Sequence, residues 1–354
     1  MIPELGIIEG FYGKPWTWES RKETVSTLAP YGYRFYIYAP KADQFLRRKW
    51  HEPHPANMAA SIRAFATHCK EAGVRFGIGL SPYDLFNNFD DAARIALKTK
   101  LEFFDEVGGK DLAILFDDMR GDVPNLAAKQ AEIVNWCADR TSATRVIVCP
   151  SYYSDDPILD RVFGTRPIDY LEELGASLHK SVEIFWTGEE VISRQFSPGH
   201  LARVTEQMGR KPLLWDNYPA NDGQRMSQYL HLRGFTGRPS SNAEHIAAHG
   251  INSALQPTLA RIPAITLADS YRLGDQYQYA ESFHNACIDV LGDELGNRVR
   301  EDLLTLQDIG LDRLAEKEQV LRTRYEGIEH PGAREIIAWL DGEYRITDEI
   351  VQTQ

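Results

Sequence analysis

Short apolar runs alternate with amphipathic stretches over the first two-thirds of the chain. Eight runs stand out: LGIIEG (5–10), YRFYIYAP (33–40), VRFGIGLSP (74–82), LAILFDD (112–118), RVIVCPSYY (145–153), VEIFWTG (182–188), PLLWDN (212–217) and YLHLRGFTG (229–237). They are too short for helices and rich in Val, Ile, Phe and Tyr, so they read as buried parallel strands. Between them, Met58, Ile62, Phe65 and Cys69 fall on one helical face, as do Leu97, Leu101 and Phe104. Eight strands with intervening connections predict an α/β fold, a (β/α)8 TIM-type barrel over 1–292. The seventh and eighth units are the least regular, and an open doubly wound sheet is the structural alternative. From 293 to 354 the pattern changes. Val299, Leu303 and Leu306 begin one amphipathic run, and Ile337, Leu340, Tyr344, Thr347 and Val351 keep a 3–4 spacing in another. This region reads as a C-terminal helical appendage with little chemistry of its own, whose apolar stripes would suit pairing with a second copy.

Composition narrows the class. Apolar residues make up 43% and charged residues 25% of the 354, which is ordinary globular usage. No apolar run is long enough for a membrane span, and the start lacks a signal-peptide pattern. The net charge of −12 disfavours a nucleic-acid-binding surface. Four scattered cysteines without a CxxC read as reduced thiols, so a cytoplasmic protein is expected.

In a barrel, chemistry collects at the C-terminal ends of the strands. Those ends carry Glu9-Gly10-Phe11-Tyr12-Gly13, Lys41 with Asp43, Asp84, Asp117-Asp118, Tyr152-Tyr153, Thr187, and Trp215-Asp216-Asn217 with Asp222. Aromatic faces with carboxylates and amides suit a sugar; one lysine without a basic cluster argues against a phosphate site. Asp117-Asp118 is the sharpest feature. Adjacent carboxylates after a buried run can split into an acid and a base, can hold Mg²⁺, or can simply cap a helix. In EGFYGKPW, Gly10 and Gly13 allow close approach of backbone to a ligand, or merely a tight turn before a helix at Trp18–Leu28. His51-x-x-His54 lacks a clear third ligand and HIAAH (245–249) lacks the Glu of HExxH; both pairs read as surface histidines, so no metal and no cofactor are expected.

Together GIIEGFYGKPWTWESR (6–21), YIYAPKAD (36–43), LAILFDDM (112–119), VCPSYY (148–153), IFWTGEEV (184–191) and LLWDNYPANDG (213–223) resemble the family 84 glycoside hydrolases, β-N-acetylglucosaminidases that include protein O-GlcNAc hydrolases. The resemblance runs in order over residues 5–290. It implies a (β/α)8 catalytic barrel and a retaining reaction in which the substrate's 2-acetamido oxygen attacks the anomeric carbon to form an oxazoline. By the same resemblance, Asp117 orients the acetamido group, Asp118 is the acid and then the base, and Tyr153 aims the acetamido oxygen. Gly10 and Lys41 meet sugar hydroxyls, and Tyr12 closes the acetamido pocket. Thr187 and Val191 line its methyl end, with Trp215 as wall. Asn217 bonds the acetamido or leaving-group region, and Asp222 the 4- and 6-hydroxyls. The implied substrates are β-GlcNAc glycosides, including O-GlcNAc-modified proteins or peptides. One departure is expected: FTGRPSSN offers Arg238 or Asn242 where the family has Asn-Pro after the eighth strand. The competing functions are a Mg²⁺-dependent phosphoryl or hydrolase barrel built on Asp117-Asp118, and a catalytically silent GlcNAc-binding protein.

Overall fold

The computed structural model describes residues 2–354. Eight parallel strands close into a barrel in sequence order: β1 (Leu5–Glu9), β2 (Tyr33–Tyr38), β3 (Arg75–Leu80), β4 (Asp111–Leu115), β5 (Arg145–Cys149), β6 (Glu183–Trp186), β7 (Leu213–Asp216) and β8 (Ala248–Asn252), with β8 pairing back on β1. The first eight helices, α1 (Trp18–Leu28), α2 (Ala56–Glu71), α3 (Asp91–Glu106), α4 (Leu126–Ala138), α5 (Ile158–Phe163), α6 (Tyr170–Ser177), α7 (Pro198–Met208) and α8 (Arg261–Leu273), fall within the barrel region. Ile62, Phe65 and Cys69 of α2, and Leu97, Leu101 and Phe104 of α3, are buried, so the predicted stripes are the faces that pack. The helix after the glycine loop starts where Thr17 accepts a hydrogen bond from the Ser20 N–H at 3.1 Å, a cap worth about 1 kcal/mol.

Strand parity decides which side chains reach the lumen. A Cβ added at Gly79 would sit 2.5 Å from Ala39 Cβ and 2.9 Å from Leu115 Cδ1, so Gly79 of β3, Leu115 of β4 and the residue that follows β2 meet inside the barrel. Lys41 continues the parity of Ala39, and Asp117 that of Leu115. At the N-terminal end, ion pairs satisfy the charges: Arg75 bonds Glu4 and Asp111, and Arg145 bonds Glu4 and Glu183.

The eighth strand is Ala248–Asn252, not 229–237. In 229–237, Leu230, Leu232 and Phe235 are buried, but their N–H groups go to Leu306 O, Gln307 Oε1 and Thr266 Oγ1 instead of to a strand ladder. The run is apolar because α8 and the helical segments that follow it as far as residue 309 pack against it. The true strand is poor in large apolar residues because it passes close to β1: a Cβ at Gly250 would meet Ile8 Cδ1 at 2.6 Å.

Beyond the barrel lie α9 (Tyr279–Leu291), α10 (Asp293–Leu304), α11 (Glu316–Tyr325), α12 (Pro331–Leu340) and α13 (Asp348–Thr353). The 337–351 spacing is not one helix. α12 ends at Leu340, Gly342 turns the chain at φ 76°, and α13 restarts behind a Thr347 cap. All four cysteines are free and buried. Among the described residues no helix is long and apolar enough to cross a membrane.

Candidate active site

A cavity of about 300 Å³ opens among the C-terminal ends of the strands. Gly10, Tyr12, Lys41, Asp117, Asp118, Tyr153, Thr187, Val191, Trp215, Asn217 and Asp222 all line it, so the structure brings every predicted site residue together. Not every polar strand-end residue joins them. Glu9 points outward into a bidentate pair with Arg21 of α1, at 2.7 Å for each bond, and Asp43 bonds Tyr38 and His54. His54 and His249 are buried partners of Asp43 and Asp216, not surface histidines.

The β4 end forms the charged heart of the cavity. Asp117 is 6% exposed, and its Oδ2 accepts from the Lys41 ammonium. Its Oδ1 is buried and without a partner. An unmatched buried acceptor is costly, so this atom is poised for an N–H or O–H donor. Asp118 follows at φ 58°, a left-handed backbone that Asp tolerates better than most residues and that turns its side chain back over the cavity. Its Oδ2 accepts from the Tyr12 hydroxyl at 2.8 Å, its Oδ1 from the Tyr153 hydroxyl at 3.4 Å, and the Lys41 ammonium lies 3.8 Å away. Burial, and then the charge of Asp118, pushes both tyrosine hydroxyls above their ordinary range, so both remain donors.

The opposite wall comes from β6, β7 and β8. Trp215 stands edge-on to Phe185, with ring centroids 5.0 Å apart. Its Nε1–H donates to Asn217 Oδ1 at 2.9 Å, and Asn217 Nδ2 donates to Val191 O at 2.8 Å. Gly10 is obligatory opposite it, because a Cβ there would sit 2.4 Å from the Trp215 ring. Asp222 accepts from the Tyr12 N–H at 2.9 Å; enclosure raises its pKa above the ordinary carboxylate value, and that bond offsets part of the rise.

Neither Arg238 nor Asn242 reaches the cavity. Arg238 is paired with Asp216, and Asn242 Nδ2 donates to Phe196 O at 3.0 Å. The asparagine that does line the cavity from this side is Asn252, at the end of the true β8. Its Oδ1 accepts from the Gly10 N–H at 3.2 Å and its Nδ2 donates to Asn217 Oδ1 at 2.9 Å. A strand only a short loop ahead of the helix at 261–273 is the signal that points to it. Also unforeseen are Cys149, Ile192 and Met226 in the lining, and Val351, which α13 brings from the C-terminal region. Burial pushes the Cys149 thiol well up, so it is a neutral wall group. Among the described residues there is no cluster of three or more His, Cys, Asp or Glu placed to hold a metal ion.

A closed parallel barrel whose strand ends gather an acidic pair, two tyrosines and a tryptophan wall around a sugar-sized cavity is the arrangement of a barrel glycoside hydrolase. A family model described as beta-N-acetylglucosaminidase matches residues 5–308, and the chain belongs to that family. It is 29% identical over 238 residues to the protein O-GlcNAcases of Mus musculus and Rattus norvegicus, a stretch covering 64% of this chain and 25% of each of those proteins. The chain thus spans about a quarter of the length of the curated relatives it matches. Among solved structures it is similar to a variant of the Thermobaculum terrenum O-GlcNAc hydrolase, with TM-score 0.78 and 27% identity over 98% of this chain and 82% of that one. A second structure, CpGH84B, gives TM-score 0.77 at 24% identity over 97% and 67% of the two chains and speaks for the fold alone.

Proposed function

We propose that this chain is a retaining exo-β-N-acetylglucosaminidase that removes terminal β-linked GlcNAc, from O-GlcNAc-modified proteins or peptides or from related glycosides, with the substrate's acetamido oxygen as nucleophile. The observation that carries the reading is the β4 end: two adjacent carboxylates in one cavity, one of them with a buried, unpartnered acceptor. Carboxylates on consecutive residues are poorly placed to flank a sugar as acid and nucleophile from opposite faces, as the two-carboxylate mechanism requires. They are well placed to serve two atoms on one side of it.

In this reading Asp117 Oδ1 accepts the acetamido N–H, and Lys41 holds the other oxygen so that the carboxylate stays oriented. The negative charge of Asp117 stabilises the oxazolinium that develops. Asp118 protonates the departing oxygen, then takes a proton from the incoming water; the Tyr12 hydroxyl holds it between the two roles. Tyr153 turns to the acetamido oxygen when the sugar is bound. Thr187, Val191 and Trp215 enclose the acetyl methyl, Asn217 faces the same region, and Gly10 and Asp222 meet hydroxyls of the ring. A cavity at the small end of ligand pockets suits one terminal sugar.

The test is electronic. Fluorinating the acetyl methyl of an aryl β-GlcNAc stepwise lowers the basicity of the acetamido oxygen with little change in size. The glycosylation rate should fall steadily from acetyl to trifluoroacetyl, the first product should keep the β configuration, and EDTA should leave the rate unchanged. A flat series, or a 2-fluoroglycosyl adduct trapped on an Asp or Glu, excludes this mechanism. A chelator-sensitive rate restored by Mg²⁺ moves the acidic pair to metal chemistry.

A further inference from the structure

The wall around the N-acyl group is supplied by two segments. Trp215 and Asn217 come from the end of β7. Thr187 and Val191 come from the irregular segment 187–196 that follows β6. A pocket made by a strand and a loop is only as narrow as the anchors between them allow, and the strongest of those anchors lies outside the cavity.

Arg238 is 7% exposed and uses all five of its N–H groups. Nε and Nη2 fork onto the Asp216 carboxylate at 2.8 and 2.7 Å. The second Nη2 hydrogen goes to Ser193 O at 2.8 Å. Nη1 donates to Arg194 O at 2.6 Å and to Thr236 O at 2.9 Å. Asp216 sits between Trp215 and Asn217, and Ser193 and Arg194 follow Val191 by two and three residues. One guanidinium therefore ties the β7 wall to the β6 loop. His249 Nε2 braces the same carboxylate at 3.0 Å, so the clamp cannot swing. Asn217 and Asp156 hold Val191 itself, through its carbonyl and its N–H at 2.8 and 3.2 Å, but each by one bond.

We propose that Arg238 is a positioning residue that sets the width of the N-acyl pocket, and thereby restricts the enzyme to short acyl groups. This rests on the function proposed above, since it assigns Thr187, Val191 and Trp215 to the acyl wall. A planar five-donor fork is what the role requires. Lysine has the charge but only three donors on a flexible stem, so Arg238→Lys is not conservative here. With the clamp loosened, the loop relaxes away from Trp215, longer acyl chains fit, and the acetamido oxygen is held less firmly for attack.

The experiment measures kcat and KM for aryl β-glucosaminides bearing N-acetyl, N-propionyl and N-butyryl groups. It compares the parent chain, Arg238→Lys, and the double variant Arg238→Gln with Asp216→Asn, which removes both buried charges together. In both variants kcat on the N-acetyl substrate should fall more than KM rises. The N-butyryl to N-acetyl ratio of kcat/KM should climb about tenfold, the scale on which a pocket discriminates a methylene. A variant that is folded by circular dichroism and merely less stable, with an unmoved acyl ratio, makes Arg238 a structural residue only and overturns the proposal. If the double variant does not fold, the ratio in Arg238→Lys decides by the same criterion. A parent chain inactive on every N-acyl substrate is a different result: it removes the proposed function, and this inference with it.

Discussion

The ends of β4 and β7 each present a carboxylate next to residues that line the cavity, and they treat it in opposite ways. Asp216 on β7 has outward parity. It is fully buried, both oxygens are taken by Arg238, one is shared with His249, and the Arg238 guanidinium in turn has no donor left. Burial alone would raise its pKa, but the Arg238 charge and the hydrogen bonds from His249 and Arg238 together outweigh it and hold the value down at about 2. Asp117 on β4 has inward parity. It is nearly as buried, yet one oxygen has no partner and the next residue is another carboxylate, in a left-handed backbone. Both are aspartates at the C-terminal end of a strand, Asp216 closing β7 and Asp117 two residues beyond β4. What separates a clamp from a reaction centre is whether the local hydrogen bonding is complete.

The contrast breaks most sharply on turnover. Asp118→Asn should slow an alkyl or seryl β-GlcNAc about 10²–10⁴-fold, the usual worth of general acid catalysis, and an activated aryl glycoside much less, because a phenol leaves with little protonation. Asp117→Ala should slow both kinds about 10²–10³-fold, since the charge it stabilises develops whatever the leaving group. The measurement is kcat/KM for each variant across leaving groups of graded acidity. Equal losses for Asp118→Asn on good and poor leaving groups, or near-normal aryl rates for Asp117→Ala, would remove the assigned roles.

How much of this was legible in the sequence follows from the same contrast. Seven strand positions could be read because buried parallel strands are apolar on both faces. The eighth could not, because Gly250 gives up a side chain for close approach to β1 and His249 is polar, while 229–237 imitates a strand by burying Leu230, Leu232 and Phe235 against α8 and the segment around residue 306. With the strand placed at 229–237, its C-terminal end falls at Arg238, whereas the true β8 ends at Asn252. Parity along each strand tells Trp215 and Asn217 from Asp216, and Gly10 from Glu9. The residues that the family resemblance names are the inward-facing ones that line the cavity, a distinction composition alone does not make. Val351 was illegible because nothing in a periodic apolar pattern shows that Gly342 breaks the helix and swings its last turn to the cavity.

Stability sharpens the comparison from the other side. Asp216→Ala leaves the Arg238 guanidinium buried without its counter-ion, and breaking a buried pair by removing one partner costs about 3–5 kcal/mol. Urea denaturation should show that loss, whereas Asp118→Asn, at a half-exposed position with a left-handed backbone that Asn also tolerates, should cost little. A β7 variant with unchanged stability and no turnover would place Asp216 in the chemistry and erase the distinction between the two strand ends.

The smallest effect is a matter of protons. The β7–β8 connection also buries His231, whose ring stacks on Tyr218 at 5.8 Å between centroids and whose Nδ1 meets Pro219 O at 3.0 Å. A carbonyl only accepts, so Nδ1 carries the hydrogen in a neutral ring. Burial lowers the pKa of His231 to about 4, partly opposed by that bond. The unfolded chain takes up the proton near the ordinary value of 6.5, and the folded chain resists it until about 4. The stabilisation is therefore complete above pH 6.5 and is lost as pH falls through that window. Between pH 6.5 and 5 the loss amounts to about 2 kcal/mol for one such group. Asp216 acts lower, its stabilisation fading only as pH falls from about 3.8 towards about 2. His249, also lowered by burial, adds to the upper window and leaves a residual slope. Denaturation midpoints measured from pH 7 to 5 should therefore fall steeply in the parent chain and less steeply in His231→Gln, by about one proton's worth. Parallel curves for the two would mean that His231 takes up its proton as readily in the fold as in the unfolded chain, and that the connection behind β7 is more open to water than its packing indicates.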